Sequence, residues 1–171
     1  HERSVVELFR RPLHTEFGEF TLHAYRDEVE GGLHFALVHG DITPDSVVPV
    51  RVHITRMLVD ILGDTSANPR WTVRNVQQYL KQQPCGILLF VAEDETPEDV
   101  LTSLGGAEKG AASGEATSAS RPWDLRKYGL GAQILRELGV RKMRVLSSPL
   151  RMHAISGFGL EVVDYIAADG T

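Results

Sequence analysis

Cysteine is almost missing from this chain, whose 171 residues hold a single thiol, Cys85. One cysteine excludes an intrachain disulfide framework and any zinc site built from several thiolates of this chain. Long apolar runs are missing too: the longest, around Ile87 to Ala92, falls far short of the ~20 residues a helix needs to cross a bilayer. Positive charge is not in excess. A net charge of -5 gives no general attraction to phosphate backbones or anionic lipid, so neither nucleic acid nor membrane is an expected partner. The chain opens on His1, Glu2 and Arg3 with no methionine and no signal-like segment, which reads as a cut from a longer polypeptide in a reducing, cytoplasmic setting. What is present, 42% hydrophobic and 24% charged residues, suffices for one well-buried core.

The first half reads as β-rich. Phe17 to Tyr25 alternates apolar and polar residues, and Leu33 to Val38 repeats the pattern after Glu30-Gly31-Gly32, which predicts a hairpin. Val47 to Ile54 is another β-branched run, interrupted by Pro49, which suits an edge strand or a strand start. Trp71, Val73, Val76, Tyr79 and Leu80 then mark a helical stripe ending before Pro84, and Cys85 to Ala92 reads as a fully buried strand. Residues 105–120, GGAEKGAASGEATSAS, have almost nothing to bury and are expected to form a flexible loop. Leu130, Ile134, Leu135 and Leu138 share one helical face before Gly139, a C-cap. Met143 to Leu146 predicts a strand, Arg151 to Ser156 a short helix, and Leu160 to Ile166 a last strand. Strands alternating with helices give an α/β fold, a mixed sheet with a β-rich N-terminal half and helices packed against it. Residues 1–14 read as a linker or N-terminal extension and 15–171 as the domain.

Gly129 and Gly131 in YGLGAQ suggest a dinucleotide fingerprint only weakly, because no strand precedes them and the third glycine is missing. Close packing near a helix start is the preferred reading of this pair.

A longer pattern is more specific. DLRKYGLGAQILRELGVRKMRVL followed by SGFGLEVV resembles GTP cyclohydrolase II in order and spacing, and is most similar to the form fused behind 3,4-dihydroxy-2-butanone 4-phosphate synthase. His34 to Ile42, Val50-Arg51-Val52-His53 and Gly86-Ile87-Leu88-Leu89 resemble further strands of that family, so the likeness runs from about Thr15 to Ile166. It implies the family's fold and a reaction in which zinc-activated water opens the imidazole ring of GTP, releasing formate and pyrophosphate. By resemblance, Asp124 stands for the acid/base carboxylate, Arg126 for the nucleophile toward the α-phosphate, and Arg51 and Arg151 for phosphate-holding arginines.

The same comparison shows what has been lost. The family carries three zinc cysteines after its Arg-Val-His strand, in a pattern like SECLTGD then CDC, and here Ile54 to Asp60 places Arg56 where the first would stand. No cysteine follows between Asp64 and Asn75. His53, Asp60 and Asp64 form no tetrahedral motif, so no metal ligand is assigned and the family's zinc is expected to be absent. The glycine- and arginine-containing loop that cradles the nucleotide is replaced by Ala92 to Asp99, an acidic run that repels a triphosphate and suits the solvated entry to a helix. Asp124 alternatively serves as an N-cap-like acceptor ahead of the helix, and Arg126 as its ion-pair partner or that of the 93–99 run. These readings imply a degenerate, homodimeric regulatory module for a 3,4-dihydroxy-2-butanone 4-phosphate synthase. The rivals are an active GTP cyclohydrolase II-type hydrolase and a non-catalytic sensor that binds a nucleotide or phosphate weakly.

Overall fold

A computed structural model describes residues 4–64, 71–92, 96–105, 122–147 and 158–168, with backbone alone for 122–125. The strands are β1 (Val5–Thr15), β2 (Gly18–Asp27), β3 (Leu33–His39), β4 (Val47–Ile54), β5 (Gly86–Val91), β6 (Lys142–Leu146) and β7 (Glu161–Ile166). Three α-helices are described, α1 (Val73–Lys81), α2 (Pro97–Gly105) and α3 (Pro122–Glu137), together with one π-helical turn, Met57–Ile61.

All seven strands join one sheet in the order β1-β2-β3-β5-β4-β6-β7. The first three run antiparallel to their neighbours through to β5, and β5, β4, β6 and β7 are mutually parallel. The alternating patterns expected for the early strands and the continuous apolar run of β5 both follow from this arrangement. β5 lies inside the sheet, antiparallel to β3 and parallel to β4, with α3 packed on one face and α1 on the other, so almost all of its side chains are buried.

Each face has its own core. Val50, Val52, Ile87, Leu89 and Ala36 meet Leu130, Ile134 and Leu135 of α3, while Phe20, Leu37 and Leu88 on the opposite face meet Val76 and Leu80 of α1. Thr72 caps α1 by accepting from Asn75 N–H, and Trp71 just before it donates from Nε1 to the Ile166 carbonyl at 2.9 Å. The indole thereby ties the start of α1 to the end of β7. Gly131 lies on the side of α3 that faces the sheet, where an added Cβ would stand 3.4 Å from Leu89 Cδ2, in ordinary van der Waals contact.

Three expectations need correction. Residues 5–14 are not a linker: β1 pairs with β2 along its whole length, and Val5 is buried in the α3-side core. Its exposed positions concealed a strand, since one side of β1 has no neighbour to cover it. Of the two readings of Pro49, edge strand or strand start, the first fails because β4 lies between β5 and β6, and the second holds because Pro49 is the third residue of β4. Pro49 is tolerated there because the ladder to β5 begins only at Val50. Asp124 does not precede the helix but falls inside α3, whose start at Pro122 is earlier than the apolar stripe suggested. The Asp124 side chain, Arg151, the short helix at Arg151 to Ser156 and the loop beyond Gly105 lie outside the described residues.

Candidate functional site

Ligands of sheets with parallel strands gather where those strands end at their carboxyl termini. Here that edge carries the end of β4, the end of β5 and the start of α3, and most of the residues singled out from sequence lie along it.

Strand periodicity puts Arg51 and His53 on the same face, in register with Leu88 and Phe90. Arg51 Nη1 donates to the Leu146 carbonyl at 3.0 Å, joining β4 to the end of β6. His53 is buried, with its ring edge-on to Phe90 at 5.9 Å between centroids. Its Nε2 lies 2.7 Å from Asp60 Oδ1, and the other carboxylate oxygen accepts the Arg56 backbone N–H, also at 2.7 Å. Burial pushes the Asp60 carboxyl up, but the hydrogen bonds from His53 and Arg56 and the nearby charge of Arg51 outweigh it and hold the group below the usual range. Asp60 is therefore a charged acceptor that closes the segment after β4 back onto the strand.

This is the segment that carries zinc cysteines in the family that the sequence resembles, and its donors do not fit that metal site. Asp60 has both oxygens engaged by His53 and Arg56, and no cluster of three His, Cys, Asp or Glu able to hold a metal occurs among the described residues. Cys85 sits in the α3-side core, five residues before Phe90, or about 16 Å along the strand from the level of His53. Burial raises its thiol pKa, with a smaller opposing effect from Ser46, as for a small core residue. Beside Asp60 lies a cavity of about 450 Å³, walled by Met57, Ile61, Val73 and Phe90 and edged by Thr55 and Arg56.

Arg126 belongs to a second constellation, on the α3 side. Its Nη2 donates to Asp27 Oδ2 at 2.6 Å, and its Nε lies 3.0 Å from Glu30 Oε2. Asp27 is 2% exposed and also accepts the Val29 N–H, which fixes the turn between β2 and β3. Burial alone would raise its carboxyl pKa, but the Val29 N–H and the Arg126 guanidinium bring it below the ordinary value. Lys127 donates to the Ala92 carbonyl at 2.7 Å, and the Ala92 N–H donates to buried His34. Among the described residues, the partners of Arg126 are the hairpin carboxylates Asp27 and Glu30; residues 93–95 of the acidic run lie outside the described residues. Sequence reasoning missed Asp27 because nothing local marks a carboxylate at a strand end as the mate of an arginine 99 positions away.

Arg51, on β4, and Arg126, on the helix α3 that covers the other face, thus lie on opposite sides of the sheet, each bonded to the protein itself. Asp27, Asp60 and His34 complete the arrangement.

Comparison with known proteins agrees with this fold. The profile of the family described as GTP cyclohydrolase II matches residues 6–167. A Pseudomonas aeruginosa protein named 3,4-dihydroxy-2-butanone 4-phosphate synthase is 38% identical over 99% of this chain and 45% of its own length. A riboflavin biosynthesis protein RibBA from Aquifex aeolicus is 34% identical over 96% of the chain and 42% of its own length. Among solved structures, RibBX, a two-domain 3,4-dihydroxy-2-butanone 4-phosphate synthase from A. baumannii, superposes with a TM-score of 0.62 at 34% identity, covering 97% of this chain and 41% of that one. The chain spans less than half the length of these relatives. No helix among the described residues is long and apolar enough to cross a membrane.

Proposed function

Because this chain belongs to the GTP cyclohydrolase II family of riboflavin biosynthesis yet lacks the thiols of its zinc site, we propose that it is a degenerate member, without zinc-dependent ring opening, that serves as a dimerising and regulatory module for a 3,4-dihydroxy-2-butanone 4-phosphate synthase. The observation that carries this reading is the closure of the segment after β4 by Asp60 onto His53 and the Arg56 N–H. A protein carboxylate performs there the loop-organising task that a metal performs in a zinc-bearing relative.

The fate of the arginines supports the same conclusion. A guanidinium that clamps a phosphate needs its donor fork free for bidentate contacts. Arg126 instead engages Asp27 and Glu30, and Arg51 donates to a main-chain carbonyl. Asp124 and Arg126 are on this account vestiges of a catalytic pair, with Arg126 retained because the fold uses it.

The relatives named as synthases, one of them a two-domain enzyme, make the synthase the natural partner. The reading is tested by assaying that synthase with and without this module covalently attached. A change in turnover, thermal stability or oligomeric state on removal supports a regulatory role; identical behaviour in all three excludes it.

A further inference from the structure

The cavity beside Asp60 is walled by one kind of side chain and edged by another. At about 450 Å³ it falls in the range, roughly 300–1,000 Å³, that takes a small organic molecule. Its apolar walls come from three elements: Met57 and Ile61 are the first and last residues of the π-helical turn, Val73 opens α1, and Phe90 stands near the end of β5. Ile61 is 75% exposed and Met57 48%, so the turn keeps apolar surface in water that an apolar guest would cover.

Polar groups around the cavity are few, and they differ in what they have left to give. Both Asp60 oxygens are taken, by His53 and by the Arg56 N–H. Arg56 itself is exposed, and among the described residues nothing accepts from its guanidinium. In this it contrasts with Arg51, which donates to the Leu146 carbonyl, and with Arg126, which meets two carboxylates.

We propose that this cavity binds a small organic monoanion with an aromatic body, the acid group held by Arg56 and the ring lying among Met57, Ile61, Val73 and Phe90. A free guanidinium fork takes a carboxylate through two parallel hydrogen bonds. A phenyl ring and a thioether in the walls both favour contact with an aromatic guest. A polyphosphate nucleotide is a poor match. One guanidinium stands against its several charges, the ionised Asp60 on the lining repels the remainder, and apolar walls leave a purine edge without hydrogen bonds. The His53–Asp60 pair holds the turn in place, so the walls need little ordering when a guest arrives. This site goes beyond the regulatory reading, because binding is measured on the chain alone and neither outcome bears on the synthase assay.

The test titrates the full 171-residue chain with 2-naphthoate and with its uncharged amide, 2-naphthamide, while backbone amide chemical shifts are followed. Saturable shifts are expected at Met57, Ile61, Val73 and Phe90, with naphthoate bound about tenfold more tightly than the amide. Arg56→Gln is expected to bring naphthoate down to the affinity of the amide while leaving the amide unchanged. A misfolded variant would lose both probes and so cannot imitate that split. Arg56→Lys keeps the charge without the fork and is expected to fall between. Ile61→Asp should lose both probes with an unchanged circular dichroism spectrum, and Val29→Asp, exposed on the β2–β3 turn, should bind as wild type does. GTP at the same concentration should not displace naphthoate. Equal affinity for acid and amide, or a preference that survives Arg56→Gln, overturns the assignment of Arg56. Shifts centred on other residues, or no saturable shift at millimolar probe, overturn the cavity as the site. Displacement by GTP overturns the ligand class, for it would show a site suited to polyphosphate nucleotides.

Discussion

Arg126 and Asp27, 99 residues apart in sequence, meet at 2.6 Å and clasp the first turns of α3 to the β2–β3 hairpin. The aspartate is buried and the arginine about one-third exposed, so the pair is asymmetric in what each partner loses. Removing the arginine strands a carboxylate in the protein, whereas removing the aspartate leaves a cation that can still reach Glu30 and water.

Arg126→Ala is therefore expected to cost more stability than Asp27→Ala, about 3 kcal/mol against about 2 kcal/mol, with the double variant costing less than the sum. Urea unfolding followed by circular dichroism measures all three. Additive losses would mean that the two groups do not interact.

The stability of the fold should fall with acidification in two stages. Burial, aided by Arg10 and opposed by Glu7, depresses the protonation of His23, so the unfolded chain takes up its proton first as the pH drops below about 6.5. The stability due to its neutral form is full above that value and is lost on the way down to the folded pKa. Asp27 and Asp60 have depressed folded pKa values, so their contribution is full above about pH 4 and disappears as the pH falls through those lower values. Thermal unfolding between pH 8 and 2 is expected to show both limbs, and His23→Gln to flatten the upper one. A midpoint independent of pH from 7 to 5 in the wild type would contradict the His23 assignment.

Asp60→Ala should release the turn without unfolding the sheet. The loss of hydrogen bonds to His53 and Arg56 N–H is expected to cost about 1–3 kcal/mol. Amide exchange would accelerate in residues 56–62 while β4 and β5 keep their protection. Uniform acceleration across β4 and β5 would show that the carboxylate supports the whole domain rather than the turn.

Gly40 offers a test of the fold itself. Its φ of +73° lies in the left-handed region, and an added Cβ would collide with the Pro84 carbonyl that crosses beside it. Gly40→Ala is expected to destabilise by about 3 kcal/mol or more, read from the same urea titration. A cost below about 1 kcal/mol would mean that β3 and the segment before β5 are not in this contact.

The β2–β3 hairpin, α1 and β5 were legible because their signals are local: alternation, a capped helical stripe and an uninterrupted apolar run. β1 was not, since an edge strand with a bulge between Glu7 and Phe9 and mostly exposed side chains carries no clean period of two. The absence of further cysteines could be read from sequence, as could the family. The meeting of Asp60 with His53 could not, because it depends on the π-helical turn bringing the chain back on itself. The Asp27–Arg126 clasp is likewise tertiary, and it recasts a residue that resembles a nucleophile as an anchor of the hairpin.

The most direct measurement of the central claim is formate release from GTP by the purified chain, made with metal analysis of the same sample and repeated with added zinc and with chelator. The account predicts no stoichiometric bound zinc, no turnover in any of the three conditions, and an unfolding midpoint that chelation does not shift. Formate release that is abolished by chelator and restored by zinc would contradict it and return Asp124 and Arg126 to a working active site.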